Sequence, residues 1–144
     1  MSAHPPFSMN SERYDQSTYF GRLRRCLDVV DPTTLLVTPT KLAQSITLLQ
    51  DFKDGKLDTN ISDAELWKAK KIKDAIIHPD TGEKILMPFR MSGYVPFGTV
   101  TVIGMLLPGA SVGKVIFWQA VNQTHNACVN YANRNATKPT PTSR

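Results

Sequence analysis

The sequence predicts an all-α protein, with a small helical amino-terminal region followed by one or two membrane-embedded helical segments. Two observations carry this expectation. Apolar residues recur at helical spacing through the first ninety residues, between recognisable caps. Acidic residues then vanish: all 12 Asp/Glu lie at or before Glu83, whereas four of the 17 Lys/Arg lie beyond Arg90. A water-facing surface mixes both signs. Hydrocarbon is a reason to exclude carboxylates, because each would have to be desolvated there at a cost of several kcal/mol. With 41% hydrophobic and 20% charged residues, composition alone does not exclude an ordinary soluble domain.

Each element follows from local chemistry. Residues 1–12 read as a disordered tip, and 13–90 as a helical, water-facing region. Phe20, Leu23 and Leu27 fall at helical spacing beside Arg22, Arg24 and Arg25, which predicts a short basic amphipathic helix. The plainer alternative is a helix packed on its own domain with a solvated charged face. Asp31-Pro32 makes a turn. Thr38 caps a helix with Pro39 at its first position, and Gly55 supplies the other cap. Leu42, Ile46 and Leu49 form its stripe, with Leu48 and Phe52 beside it. Ser62 and Glu65 have capping-box spacing, and Leu66, Ala69, Ile72 and Ile76 continue as an amphipathic helix. That helix ends at His78, because Pro79 disfavours helical geometry in the residue before it.

Residues 91–135 read as the membrane-embedded part. Met91 to Gly113 carries no charge and is long enough to span hydrocarbon, but Pro96, Gly98, Gly104, Pro108 and Gly109 break it. A second segment runs from Val112 to Asn133 with Lys114 as its one charge, able to snorkel to an interface. Residues 136–144, with Pro139 and Pro141, form a polar tail.

The candidate functional residues are amides. Gln119, Asn122, Asn126, Asn130 and Asn133 share an arc of roughly 80° on one helix face. Such a stripe either bonds helices together inside a bilayer or lines a solute path without a fixed charge. His78-Pro79-Asp80-Thr81 opens a strong turn in which the histidine is read as structural. His125 and Cys128 make a lone HxxC, short of the four ligands of a structural zinc site, so no metal and no cofactor is expected. Neither a nucleophile with an orienting third group nor a phosphate-binding loop is present, so no enzyme is expected. The two cysteines, Cys26 and Cys128, form no disulfide framework, and Met1 to Asn10 is no secretory signal. Nucleic acid is not expected as a partner, since the basic residues before Arg90 are interleaved with nearly equal acid.

Several strings together carry a resemblance. They are Tyr14 to Thr18, the Asp31-Pro32 turn, HPDTGEK (78–84), FRMSGYVPFG (89–98), IFWQ (116–119) and NQTHNACVNYANRNATKPTP (122–141). In this order the chain resembles the sideroflexin family of mitochondrial inner-membrane carriers, from about Tyr14 to near its end. FRMSGYVPFG and NACVNYANRN are similar in form to the subtype linked to citrate. The resemblance implies a multi-spanning helical carrier that transports serine-like amino acids or citrate. It implies membrane lipid, a small-molecule solute, and further carboxy-terminal helices or another membrane protein as partners. Family members run to about twice this length, so the chain is expected to be an amino-terminal fragment; the alternative is a truncated, non-transporting accessory membrane protein. Ala120 stands where the family commonly has Trp.

Overall fold

The computed structural model describes residues 5–56 and 60–137. Among these the regular structure is helical: α1 (Tyr19–Val29), α2 (Pro39–Lys53), α3 (Asp63–Ile76), α4 (Tyr94–Leu106) and α5 (Val112–Ala132), with short 3₁₀ turns between. One isolated antiparallel bridge pairs Ile77 with Lys84. The chain divides into two compact units, Met1–Ala75 and Ile76–Arg144. The all-α expectation holds.

In the first unit, local capping works as the sequence implies. Thr38 accepts the amide of Lys41 ahead of Pro39, and Asp54, followed by Gly55, closes α2. Ser62 and Glu65 bond reciprocally: the Ser62 amide donates to Glu65 Oε2 at 3.0 Å, and the Glu65 amide to Ser62 Oγ at 3.4 Å. Leu66, Ala69, Ile72 and Ile76 are all buried on α3, together with Trp67. On α2 the inward line is Leu42, Ser45 and Leu49, whereas Ile46 is 38% exposed. Ser45 is tolerated inside because its hydroxyl donates to Lys41 O at 2.8 Å. Helix α3 stops at Ile76, two residues before His78, because Ile77 leaves to pair with Lys84.

Two expectations are corrected here. Residues 5–12, expected to be a disordered tip, are docked; residues 1–4 lie outside the described residues. Phe7 is buried among Leu49, Leu66, Trp67 and Ala69. It meets Phe52 and Trp67 edge-on, each with centroids 4.9 Å apart. The segment is pinned by hydrogen bonds from the Phe7 amide to Asp63 Oδ1 (3.1 Å), from Trp67 Nε1 to Pro5 O (3.0 Å) and from Lys70 Nζ to Met9 O (2.8 Å). A single aromatic in a polar run shows no period, so its burial is invisible locally. The second correction concerns α1, whose apolar stripe does not pack on its own domain: Phe20, Leu23 and Leu27 are exposed. The helix is held from its polar side, where Asp28 pairs with Arg13 at 3.4 Å and Lys71 at 2.8 Å.

Lys71 also pairs with Asp31 at 2.7 Å. Asp31 caps the following turn by accepting the Thr33 amide at 2.9 Å. The hydrogen bond from Lys71 leads in lowering the Asp31 carboxyl from 3.8 to about 2.

In the second unit, α4 and α5 form an antiparallel hairpin. Gly104 of α4 lies under Trp118 of α5, where an added Cβ would collide with the indole. No helix among the described residues is long and apolar enough to cross a membrane. The charge-free run makes a helix of 13 residues, about 20 Å at 1.5 Å per residue against roughly 30 Å of hydrocarbon.

Two predictions follow from the first unit. Phe7→Ala empties a buried ring site and should destabilise the unit by about 3–5 kcal/mol, read as a lower urea midpoint by circular dichroism. An unchanged midpoint would mean that the segment is not docked. Because the Asp31 carboxyl is depressed on folding, its contribution is complete above its ordinary value of 3.8 and is lost as pH falls toward about 2. Asp31→Asn should therefore lower the urea midpoint at neutral pH, where the contribution is complete, and the difference from the unaltered chain should vanish as pH falls toward about 2.

Candidate functional site

Helix α5 presents three faces, and each does something different. Its packed face carries Trp118, Asn122, His125, Val129 and Asn133. Thr101 Oγ1 lies 3.1 Å from Asn122 Oδ1 and 2.8 Å from Gly98 O. His125 Nε2 donates to Pro88 O at 3.0 Å, and its ring sits within 6.3–6.4 Å of the rings of Phe89, Tyr94 and Phe97. The other ring nitrogen, Nδ1, is buried with no partner among the described residues. Val129 is fully packed. Asn133 Nδ2 donates to both Phe89 O and Val129 O at 2.8 Å.

The amide stripe lies beside this face and splits. At about 100° per residue, its centre is rotated roughly 60° from the packed face. Asn122 and Asn133 sit on the shared edge and are bonded. Gln119 and Asn130 are exposed, Asn126 is half-buried, and their side chains make no hydrogen bond among the described residues. Two amides therefore join elements, and three remain open as donors and acceptors.

The third face, opposite the stripe, borders an open groove of about 800 Å³. Thr124, Ala127, Cys128 and Tyr131 line one side, and His78, Lys84, Ile85 and Phe89 the other. Glu83, Lys84 and Arg134 bring charge to its rim. The volume is of the size that takes small molecules. Sequence spacing had no means of finding this groove, since its two walls are some forty residues apart. His125 and Cys128, although close in sequence, face different surroundings. Among the described residues no cluster of His, Cys, Asp and Glu could hold a metal ion.

One end of the groove is built by the His78-Pro79-Asp80-Thr81 turn. His78 is buried. Its Nδ1 accepts the amides of Asp80 (3.1 Å) and Thr81 (3.3 Å), and its Nε2 donates to Arg134 O at 2.8 Å. An acceptor at Nδ1 and a donor at Nε2 define the neutral Nε2–H tautomer. Pro79 keeps His78 out of helical geometry, so the chain turns there. The turn closes at Gly82, where a φ of 69° favours glycine, and its amide donates to His78 O at 3.0 Å. Asp80 Oδ2 then accepts the amides of Ala136 (2.8 Å) and Thr137 (3.3 Å). The turn thus grips the chain where α5 ends. Arg90 is also buried beside the turn, with Nε donating to Ile85 O at 2.9 Å, and burial draws its pKa down. Its anchoring role is not legible in the sequence.

The histidine is therefore expected to act through structure. His78→Ala removes the joint between turn and helix and leaves the part-buried amides of Asp80 and Thr81 without their acceptor, which costs at most about 1–3 kcal/mol for each. The steady-state level of folded protein should fall more than any specific activity. A normal level with a large loss of specific activity would instead make His78 a functional residue.

Comparison with known proteins sets this geometry in context. A sideroflexin family profile matches residues 8–144. Human Sideroflexin-5 is 55% identical over 140 residues, covering 97% of this chain and 41% of the relative. Sideroflexin-5 of Caenorhabditis elegans is 57% identical over 141 residues, covering 98% and 42%. A sideroflexin of Dictyostelium discoideum is 47% identical over 135 residues, covering 94% and 41%. The chain thus spans about two fifths of the length of the curated relatives it matches. No solved structure matches it significantly. The family match takes in both the turn at His78 and the amide-bearing helix that it grips, and the chain belongs to the sideroflexin family.

Proposed function

We propose that this chain contributes to a transporter of small hydrophilic metabolites in the mitochondrial inner membrane, with serine-like amino acids or citrate as the solute, and that it is not an enzyme. One observation beyond family membership supports this most. The tip of the α4–α5 hairpin turns Ile103, Leu106, Leu107, Val112, Val115, Ile116 and Phe117 outward, and no acidic residue follows Glu83. In water an apolar tip of this extent is a liability, whereas lipid matches it. Lys114, the one charge near the tip, has a stem long enough to reach headgroups. In this reading Gln119, Asn126 and Asn130 offer hydrogen bonds to a solute, or to further helices of the carrier or of another membrane protein, without trapping the solute by fixed charge. The basic excess beyond Arg90 favours an anionic solute or anionic lipid.

A second reading, an accessory membrane protein that does not transport, is favoured by a different observation: no helix among the described residues is long and apolar enough to cross a membrane. One experiment separates the readings. In a cysteine-free chain expressed in mitochondria, Gln119→Cys, Asn126→Cys and Asn130→Cys are probed with a small water-soluble thiol reagent after alkaline carbonate extraction has confirmed membrane retention. Transport predicts labelling at all three positions and protection by serine or citrate. Labelling without protection indicates the accessory role, and recovery wholly in the soluble fraction removes both readings.

A further inference from the structure

Helix α1 is amphipathic in the reverse sense for a water-borne unit. Its inward side is polar: Gly21 is buried, and Asp28 is held between Arg13 and Lys71. Its outward side is apolar, with Phe20 72% and Leu27 58% exposed beside Tyr19 and Leu23. At about 100° per residue these four side chains share an arc of roughly 100° on the side away from Asp28. Arg22 and Arg24 flank that arc, one on each side.

The charges around the arc are not neutralised. Arg25 pairs with Glu12 at 3.0 Å, and Asp28 is fully used by its two cations. Arg22 Nη1 donates to backbone carbonyls, Gln16 O at 3.1 Å and Ser17 O at 3.2 Å, which leave its charge in place. Arg24 has no acid against it among the described residues. An apolar stripe bordered on both sides by uncompensated guanidinium groups matches a surface that is apolar within and anionic at its rim. A second copy of α1 would bring its own arginines against these.

We propose that α1 lies in the surface of an anionic bilayer, with Phe20, Leu23 and Leu27 below the headgroups and Arg22 and Arg24 on lipid phosphates. Helices of this pattern bind by apolar burial plus attraction to anionic lipid, and guanidinium matches phosphate in a bidentate fashion. The inference goes beyond transport and does not require it, since it concerns the first unit alone.

The test uses the 144-residue chain carrying Cys128→Ser, so that Cys26, exposed at the edge of the arc, takes an environment-sensitive fluorophore. Vesicles are phosphatidylcholine with or without phosphatidylglycerol, and chain binding is read separately by sedimentation. On anionic vesicles the label should shift to the blue and resist quenching by aqueous iodide. Arg22→Gln and Arg24→Gln should each raise the lipid concentration needed for half the shift by about fivefold. Should either variant misfold, added salt on the unaltered arginines must produce the same weakening. A label that stays in water while the chain sediments with vesicles overturns the proposal and leaves the transporter reading intact. An equal shift on neutral vesicles also overturns it, as does a shift without vesicles that grows with protein concentration.

Discussion

The imidazole of His78 is the joint on which the described part of the second unit depends. A neutral imidazole offers one acceptor and one donor on opposite sides of a rigid ring, and here both are used. The acceptor gathers two amides of its own turn, and the donor takes the carbonyl of Arg134 just past α5. Helix ends carry backbone groups without intrahelical partners, so this is where a clamp has most to satisfy. Asp80 completes it with a charged acceptor for the next two free amides. With the end of α5 held, Asn133 reaches Phe89 and His125 reaches Pro88, and these contacts place the turns that lead into α4. The two motifs that stand out in the sequence, the HPDT string and the Asn-rich helix, are thus two halves of one contact.

Apolar residues face outward in both units, on α1 in the first and at the α4–α5 tip in the second. The reason is the same in each case. The inward positions are already taken by polar partners that need fixed geometry, Asp28 with its cations in one and Thr101 with Asn122 in the other. Apolar side chains need no partner of fixed geometry and are left to meet the surroundings. The amides that remain open on α5 lie along one flank, while the groove lies along the opposite one, so a single helix offers two chemically distinct surfaces.

Much of the fold was legible because its determinants are local. Capping at Thr38 and at Ser62 with Glu65 depends on residues three apart. The stripe from Leu66 to Ile76 repeats within one helix. The breaks at Pro108 and Gly109 separate α4 from α5 within a run that composition alone would join. The amide stripe was legible as a stripe, because periodicity puts its members on one face. That Asn122 and Asn133 are bonded while Gln119, Asn126 and Asn130 are open was not legible, since it depends on where α4 and the turn near Phe89 come to rest.

The sequence by itself determined the all-α class, the caps that start α2 and α3, the charge-poor second half and the family. These rest on side-chain chemistry acting over a few residues or on long matching strings. Tertiary structure alone decided that Phe7 fills the first core, that Ser45 rather than Ile46 turns inward, that α1 shows its apolar side to the surroundings and that His78 grips the end of α5. Phe7 and His78 each meet a partner some forty to sixty positions away, α1 depends on such a pair in Asp28 and Lys71, and Ser45 turns inward by how α2 packs. No short-range period records such a distance, because it is set by how whole helices pack.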